Sequence, residues 1–297
     1  MTLAAVFPGQ GSQSVGMGHE LLEQYSEVSI QLERADEICG YSLSALMKDG
    51  PRELLDKTVN AQPAIYLANH ILWRLVRKTD IKPDFVAGHS LGELSACLAA
   101  DMFSFEVGLE IVIHRAQLMS DAAAEFDGGM MAVIGLADLK VIKVSEEVGL
   151  EAVNFNCPGQ VVVAGLKKDI ESSKDTFKDA GARKVVQLAV SGAFHSSAMV
   201  MAARKFSEYL ADKRFEEPRI PIISNETAKP LLEAEDVKAA LARQLANPVR
   251  WRQCVEAMIE MGVDKFIEIG SGKVLTGLIK RISSEVAVKH AFDKLCA

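Results

Sequence analysis

A serine sits between two glycines in Gly88-His89-Ser90-Leu91-Gly92, after the apolar run Phe85-Val86-Ala87 and before a segment rich in helix formers. Gly-x-Ser-x-Gly between a strand and a helix is the pattern of a nucleophile elbow, whose sharp backbone pushes the serine hydroxyl clear of its neighbours. Glycines on either side remove side chains that would block the turn. The helix start beyond Ser90 puts backbone N–H groups and the positive end of a helix dipole beside any negative charge that develops there. An alcohol nucleophile requires a base that is neutral near pH 7, and an unperturbed imidazole supplies one. Of the six histidines, His195 in Ser191-Gly192-Ala193-Phe194-His195-Ser196 is the preferred base, because it stands at a predicted junction among small residues. His89 competes by proximity, but adjacent residues on a tight turn project in different directions. Arg115 lies among Ile111, Val112, Ile113, Leu118 and Met119. A charge there needs an anionic partner, either a structural carboxylate or a substrate. Pro8-Gly9-Gln10-Gly11-Ser12-Gln13 closes the first apolar run with two glycines, as suits backbone approaching a ligand. It fails as a dinucleotide fingerprint, because Ser14 occupies the third glycine position. Gln10 and Gln13 there serve either a ligand or the turn itself.

These residues need a frame. Residues 3–7 read as a buried strand, 14–60 as broken helices punctuated by Gly40 and Gly50-Pro51, and Gln62-Pro63 as the opening of a long amphipathic helix reaching Arg77. A further helix covers 105–124. From Gly128 the texture changes to strand (130–134), helix (136–148), strand (151–155), a turn at Pro158-Gly159, strand (160–164), helix (167–180) and strand (184–188). That βαββαβ order is the ferredoxin-like signature. It predicts a small lobe at 128–191 inserted into a discontinuous large α/β lobe formed by 1–127 and 192–297. Beyond it come a helix from 198 to 212, a strand at 221–225, a helix over 237–246 with the next beginning at Pro248, a strand at 266–269 and a helix over 274–282.

With 297 residues, 49% hydrophobic and 25% charged, the composition is that of a globular enzyme rather than a disordered chain. The formal charge of −7 gives a nucleic-acid partner no bulk electrostatic support. Cys39, Cys97, Cys157, Cys254 and Cys296 are scattered and contain no CxxC pair, so neither a disulfide framework nor a zinc site is expected. The apolar start lacks a basic flank and reaches Pro8-Gly9 early, unlike a signal peptide. No apolar run approaches the ~20 residues of a membrane span. The reading is a reduced, cytoplasmic protein.

Together, Gly9 to Gln13, Gly88 to Glu93, Arg115 to Met119, Phe194-His195-Ser196, Ile223 to Ala228, Gln244 to Trp251 and Glu268 to Lys273 resemble the malonyl-CoA:acyl-carrier-protein transacylases of fatty-acid and polyketide synthesis, in family order over nearly the full length. The resemblance implies an α/β-hydrolase-like large lobe with the ferredoxin-like small lobe. It implies Ser90 as acylated nucleophile, His195 as its base, and the Gln10 and Leu91 N–H groups as an oxyanion hole. A backbone carbonyl near Gln244, rather than an aspartate, would orient the histidine. Arg115 would pair with the malonyl carboxylate in bidentate fashion, with His89, Met119 and Phe194 about the substrate. A ring at Phe194 leaves little room for an α-methyl branch, although shape alone discriminates one methyl by only ~1–3 kcal/mol. The implied substrates are malonyl-CoA and a phosphopantetheinylated acyl carrier protein, with no metal or redox cofactor, no membrane or nucleic-acid partner, and a monomeric state. Arg183, Lys184, Lys273, Lys280 and Arg281 are candidates for a basic rim that meets the acidic carrier. Ala116, Ala193, Leu94 and Ser271 depart from the family's commoner glycine, proline, tyrosine and proline; none removes a catalytic group.

Three rivals remain at this level. A hydrolase clearing stalled acyl chains shares the fold, but such relatives tend to lack the arginine at position 115. A non-catalytic docking subunit would not require Ser90, His195 and Gln10 together. An ordinary esterase lacks the inserted lobe and would show a late Asp-then-His order.

Overall fold

Strands covered by helices on both faces have no solvent side on which to carry polar residues, so the short apolar runs assemble into a parallel sheet. In the computed structural model, which describes residues 2–21 and 25–295, the strands are β1 (Thr2–Phe7), β2 (Phe85–Gly88), β3 (Gly128–Ile134), β4 (Glu151–Cys157), β5 (Gln160–Leu166), β6 (Lys184–Gln187), β7 (Ile222–Ile223), β8 (Pro230–Leu231), β9 (Val263–Glu268) and β10 (Ala287–His290). One sheet has the order β10-β9-β1-β2-β7-β8. It is parallel from β10 to β7, with β8 antiparallel at the edge. Period-two alternation splits β1 between two cores. Ala5 and Phe7 face a cluster with Ile65, Leu94 and Val112, while Ala4 and Val6 face Trp251, Val255 and Phe266.

The second sheet, order β4-β5-β3-β6, is antiparallel throughout. One of its faces buries Met131, Val133, Val161 and Val163 against Val141, Ile170 and Phe177 from its own helices. The segment ahead of Trp251 is stitched to the second sheet where Val249 extends the edge of β4: its N–H donates to the Val153 carbonyl at 2.8 Å and its carbonyl accepts from Phe155 N–H at 2.9 Å.

That stitch corrects one boundary. The helix predicted from Pro248 begins only at Trp251 (Trp251–Glu260), because residue 249 is held extended by its pairing with β4. The long helix starts a turn before Gln62, spanning Thr58–Val76 with Pro63 inside it. The helix predicted over 167–180 is two short ones, Lys167–Ser172 and Lys174–Asp179. The helix predicted from 198 is a short 3-10 turn, Ser197–Met199, running into Val200–Ala211. β8 and β10 are additions: an edge strand of two residues and one of four leave little periodicity to read. Cys39, Cys97, Cys157 and Cys254 are free thiols, and Cys296 lies outside the described residues. Among the described residues no helix is long and apolar enough to cross a membrane.

Candidate active site

Three glycines build the turn. A Cβ on Gly88 would lie 1.9 Å from the Gly92 carbonyl carbon, one on Gly92 2.0 Å from the Phe7 oxygen, and one on Gly9 2.3 Å from the His89 oxygen. All three would strike backbone, so β1, the Gly9 loop and the elbow approach as closely as they do only without side chains. Ser90 sits at φ 53°, in the left-handed region that non-glycine residues adopt at some cost. What holds it there is Asn225: its Oδ1 accepts from Ser90 N–H at 2.7 Å and its Nδ2 donates to the Gly88 carbonyl at 2.6 Å. The helix Gly92–Ala99 starts directly behind.

His195 approaches from residues 105 positions further along. Its Nε2 is 2.7 Å from Ser90 Oγ, and its Nδ1 is 2.8 Å from the Gln244 carbonyl oxygen. A carbonyl only accepts, so Nδ1 carries the proton and Nε2 is left to accept from the serine hydroxyl. Like Ser90, His195 has a positive φ, 64°. No carboxylate takes the third position; a backbone oxygen sets the tautomer. His89, the sequence competitor, is turned away, with Nε2 2.8 Å from Asn156 Oδ1.

Arg115 is 2% exposed. Its Nη1 donates to Gln62 Oε1 at 2.6 Å, and its Nη2 to Gln244 Oε1 at 2.8 Å and to Ser90 Oγ at 3.1 Å. Among the described residues no carboxylate forms an ion pair with it. Of the two partners left open by the sequence, a structural carboxylate is present only as Glu93, which acts on the guanidinium from beyond ion-pair distance. Burial pulls the guanidinium down to about 10, against the favourable field of Glu93. Burial first, and then Arg115, push the His195 imidazole below its ordinary near-neutral range, to about 3, against the hydrogen bond to the Gln244 carbonyl. The base is thus neutral over the whole physiological range, at the expense of basicity. Glu93, fully buried, is pushed up to about 7 by burial, opposed by hydrogen bonds from Gln244 and Asn225 and by Arg115.

Ser90, His195 and Arg115 open on one cavity of about 300 Å³, also lined by Gln10, His89, Leu91, Met119 and Phe194. Of the residues singled out from sequence, only Gln244 stands behind the wall, holding His195 and Arg115 from the rear. The Gln10 and Leu91 N–H groups have no hydrogen-bond partner among the described residues. Gln13 belongs to the turn, accepting from Gly11 N–H at 2.7 Å and donating to Asp56 Oδ1 at 2.8 Å. Across the cavity, Met130, Asn154 and Leu188 come from the antiparallel sheet and its exit. Sequence reasoning missed Gln62, Asn225 and Glu93 as individual participants. The available signal was polarity in the wrong place: Gln62 and Glu93 sit amid apolar helical positions, where a polar side chain requires a partner. No group of side chains able to hold a metal ion occurs among the described residues.

The structure thus brings a serine hydroxyl, an imidazole and a buried guanidinium together at one cavity. The family model described as acyl transferase domain matches residues 5–291. A malonyl CoA-acyl carrier protein transacylase of Salmonella typhimurium is 43% identical over 284 residues, 94% of this chain and 92% of the relative. The crystal structure of an acyl carrier protein S-malonyltransferase from Vibrio cholerae superposes with a TM-score of 0.94 at 41% identity, covering 99% of this chain and 100% of that one. A malonyl-transacylase solved in complex with its type II polyketide acyl-carrier protein gives a TM-score of 0.95 at 40% identity, covering 98% and 96%. From β1 to the turn beyond β10, over residues 5–291, the chain belongs to the acyl transferase domain family.

Proposed function

We propose that the protein moves a malonyl group from malonyl-CoA to the phosphopantetheine thiol of an acyl carrier protein, through a malonyl ester on Ser90. The observation that carries this reading is the buried Arg115 guanidinium, 3.1 Å from Ser90 Oγ and without an ion-pair partner. A buried cation offset only by hydrogen bonds and the more distant Glu93 is costly, and an acyl chain ending in a carboxylate lowers that cost. Gln62 and Gln244 occupy one hydrogen each on Nη1 and Nη2. A carboxylate therefore takes the remaining Nη1 hydrogen and the Nη2 hydrogen now given to Ser90, a bidentate grip that also releases the serine oxygen.

His195 Nε2 removes the Ser90 proton as Oγ attacks the thioester carbonyl. The oxyanion falls to the free N–H groups of Gln10 and Leu91, each worth about 3–4 kcal/mol in comparable sites. Collapse breaks the C–S bond, and the CoA thiolate leaves with the proton from His195. In the second half the carrier thiol gives its proton to the same nitrogen, attacks the malonyl-serine ester and restores the hydroxyl, a ping-pong cycle. Atoms and charge balance without a metal or redox cofactor.

The strand order β4-β5-β3-β6 supports reading residues 128–191 as a ferredoxin-like lobe, set into an α/β-hydrolase-like lobe of 1–127 and 192–297. Phe194 and Met119 line the acyl pocket and favour an unbranched malonyl group. Arg183, Lys184 and Arg281 share one surface pocket and suit an acidic carrier. Lys273 is paired with Asp293 and is less available. A monomer in a reducing, cytoplasmic setting fits the four free thiols. The test is intact-protein mass spectrometry after incubation with malonyl-CoA or acetyl-CoA. A malonyl adduct that disappears in Ser90→Ala supports the proposal; labelling by acetyl alone overturns it.

A further inference from the structure

Gln244 touches every part of the site, and something must decide which way its amide points. Its Nε2 donates to the Ser90 carbonyl at 2.9 Å, to Glu93 Oε2 in a short contact, and lies 3.4 Å from Asn225 Oδ1. All three neighbours on that side are acceptors. Its Oε1 therefore faces the other way and accepts from Arg115 Nη2 at 2.8 Å. Of the acceptors, only Glu93 brings a charge and a second oxygen, and that oxygen accepts from the Asn225 N–H at 3.2 Å. Both oxygens of this buried carboxylate are thus engaged by donors that flank the nucleophile, although Glu93 itself does not line the cavity.

We infer that Glu93 is a positioning residue for acyl-group selection: it fixes the Gln244 amide with its oxygen toward Arg115, and so aims the guanidinium at the acyl carboxylate. This rests on the transacylase reading given above. An amide in place of the carboxylate has one acceptor where two are needed. Whichever way it turns, its NH2 meets either the Asn225 N–H or the Gln244 Nε2. If Gln244 rotates to relieve the second clash, its own NH2 then confronts Arg115 Nη2 and displaces the guanidinium. Every donor shares whatever the turned amide costs at the Ser90 carbonyl, but only one that uses Arg115 also loses the aimed guanidinium. A role confined to holding the fold would lower the loading of all donors in the same proportion.

The experiment is the ratio of malonyl to acetyl loading on residue 90, from kcat/KM with each CoA ester, in wild type, Glu93→Gln, Gln244→Met and the double variant. Glu93→Gln is expected to lower the ratio about tenfold or more, mainly through the malonyl KM, as befits loss of one charge-assisted contact. In the Gln244→Met background, Glu93→Gln should lower it no further, because the amide through which it acts is gone. A wild-type ratio in Glu93→Gln, or an equal fall in both backgrounds, overturns the inference. Should Glu93→Gln not fold, an unchanged ratio in Gln244→Met overturns it as well. A wild-type protein that takes no malonyl adduct would instead sink the transacylase reading, leaving the two failures distinct.

Discussion

Replacing Arg115 by alanine separates two effects that usually arrive together, loss of specificity and loss of fold. The side chain is buried, and its guanidinium is pulled from its ordinary value down to about 10, chiefly by burial. At ~1.36 kcal/mol per pKa unit, that displacement corresponds to about 3 kcal/mol of strain removed with the charge. Against it stand the Gln62 and Gln244 side-chain amide oxygens left without a donor, about 1–3 kcal/mol each. These nearly cancel, and the melting temperature is expected to move by only a few degrees. The malonyl carboxylate has no such compensation. It would enter the pocket without a counter-charge, a penalty of about 3–5 kcal/mol, or roughly a hundredfold to a few thousandfold in kcat/KM. Acetyl-CoA brings no carboxylate, so its loading should change by no more than about threefold, a difference under ~1 kcal/mol. The assay is quenched-flow acylation followed by intact mass, with both CoA esters, alongside thermal unfolding. Equal losses for the two esters in a folded variant would refute the argument that Arg115 acts on the acyl carboxylate.

Other expectations follow from the same geometry. Gly92→Ala puts a methyl 2.0 Å from the Phe7 oxygen. It should therefore destroy acylation or folding, and a soluble, acylating variant by circular dichroism and mass spectrometry would contradict the close packing of β1 against the elbow. Asn225→Ala strips partners from the Ser90 N–H and the Gly88 carbonyl, so urea unfolding should show a loss of about 2–5 kcal/mol for two orphaned buried groups. Burial also lowers His70 to about 3. A histidine depressed in the fold contributes stability that is complete above its unfolded pKa near 6.5 and is lost as pH falls toward 3. His70→Phe, which keeps the ring stacked on Phe105, should move the acid-unfolding midpoint to lower pH, as followed by circular dichroism. Glu93 has the opposite sign: raised to about 7, it makes stability fall as pH rises from about 4.5 to 7, so Glu93→Gln should flatten that limb of the profile.

Ser90, His195 and Arg115 were legible because each breaks a local rule in its own stretch of chain. A serine between glycines signals a strained turn, an imidazole among small residues signals room for a reactant, and an arginine amid isoleucines signals a missing anion. The elements were legible where a run of three or more apolar residues or a helical period supplied the signal, as in β1, β2 and the helix Val274–Ile282. What stayed hidden was set by tertiary contact. Nothing local to Val249 announces that β4 will pair with it, and β8 and β10 draw their order from β7 and β9 beside them. The depressed His195 belongs to this class too, since its cationic neighbour Arg115 and its backbone partner Gln244 both come from segments distant in the chain. Glu93, Gln62 and Asn225 were visible as polar residues in odd places, but their partners were not.

The division of labour across the cavity has an evolutionary corollary. Ser90, His195, Arg115 and Gln244 all belong to segments outside 128–191, whereas the opposite wall, Met130, Asn154 and Leu188, lies on the intervening stretch. That wall donates to none of the reacting atoms. Substitutions at those three positions are expected to widen, narrow or repolarise the chamber while the Ser90–His195 hydrogen bond stays intact, a route by which a related sequence could come to accept other acyl groups.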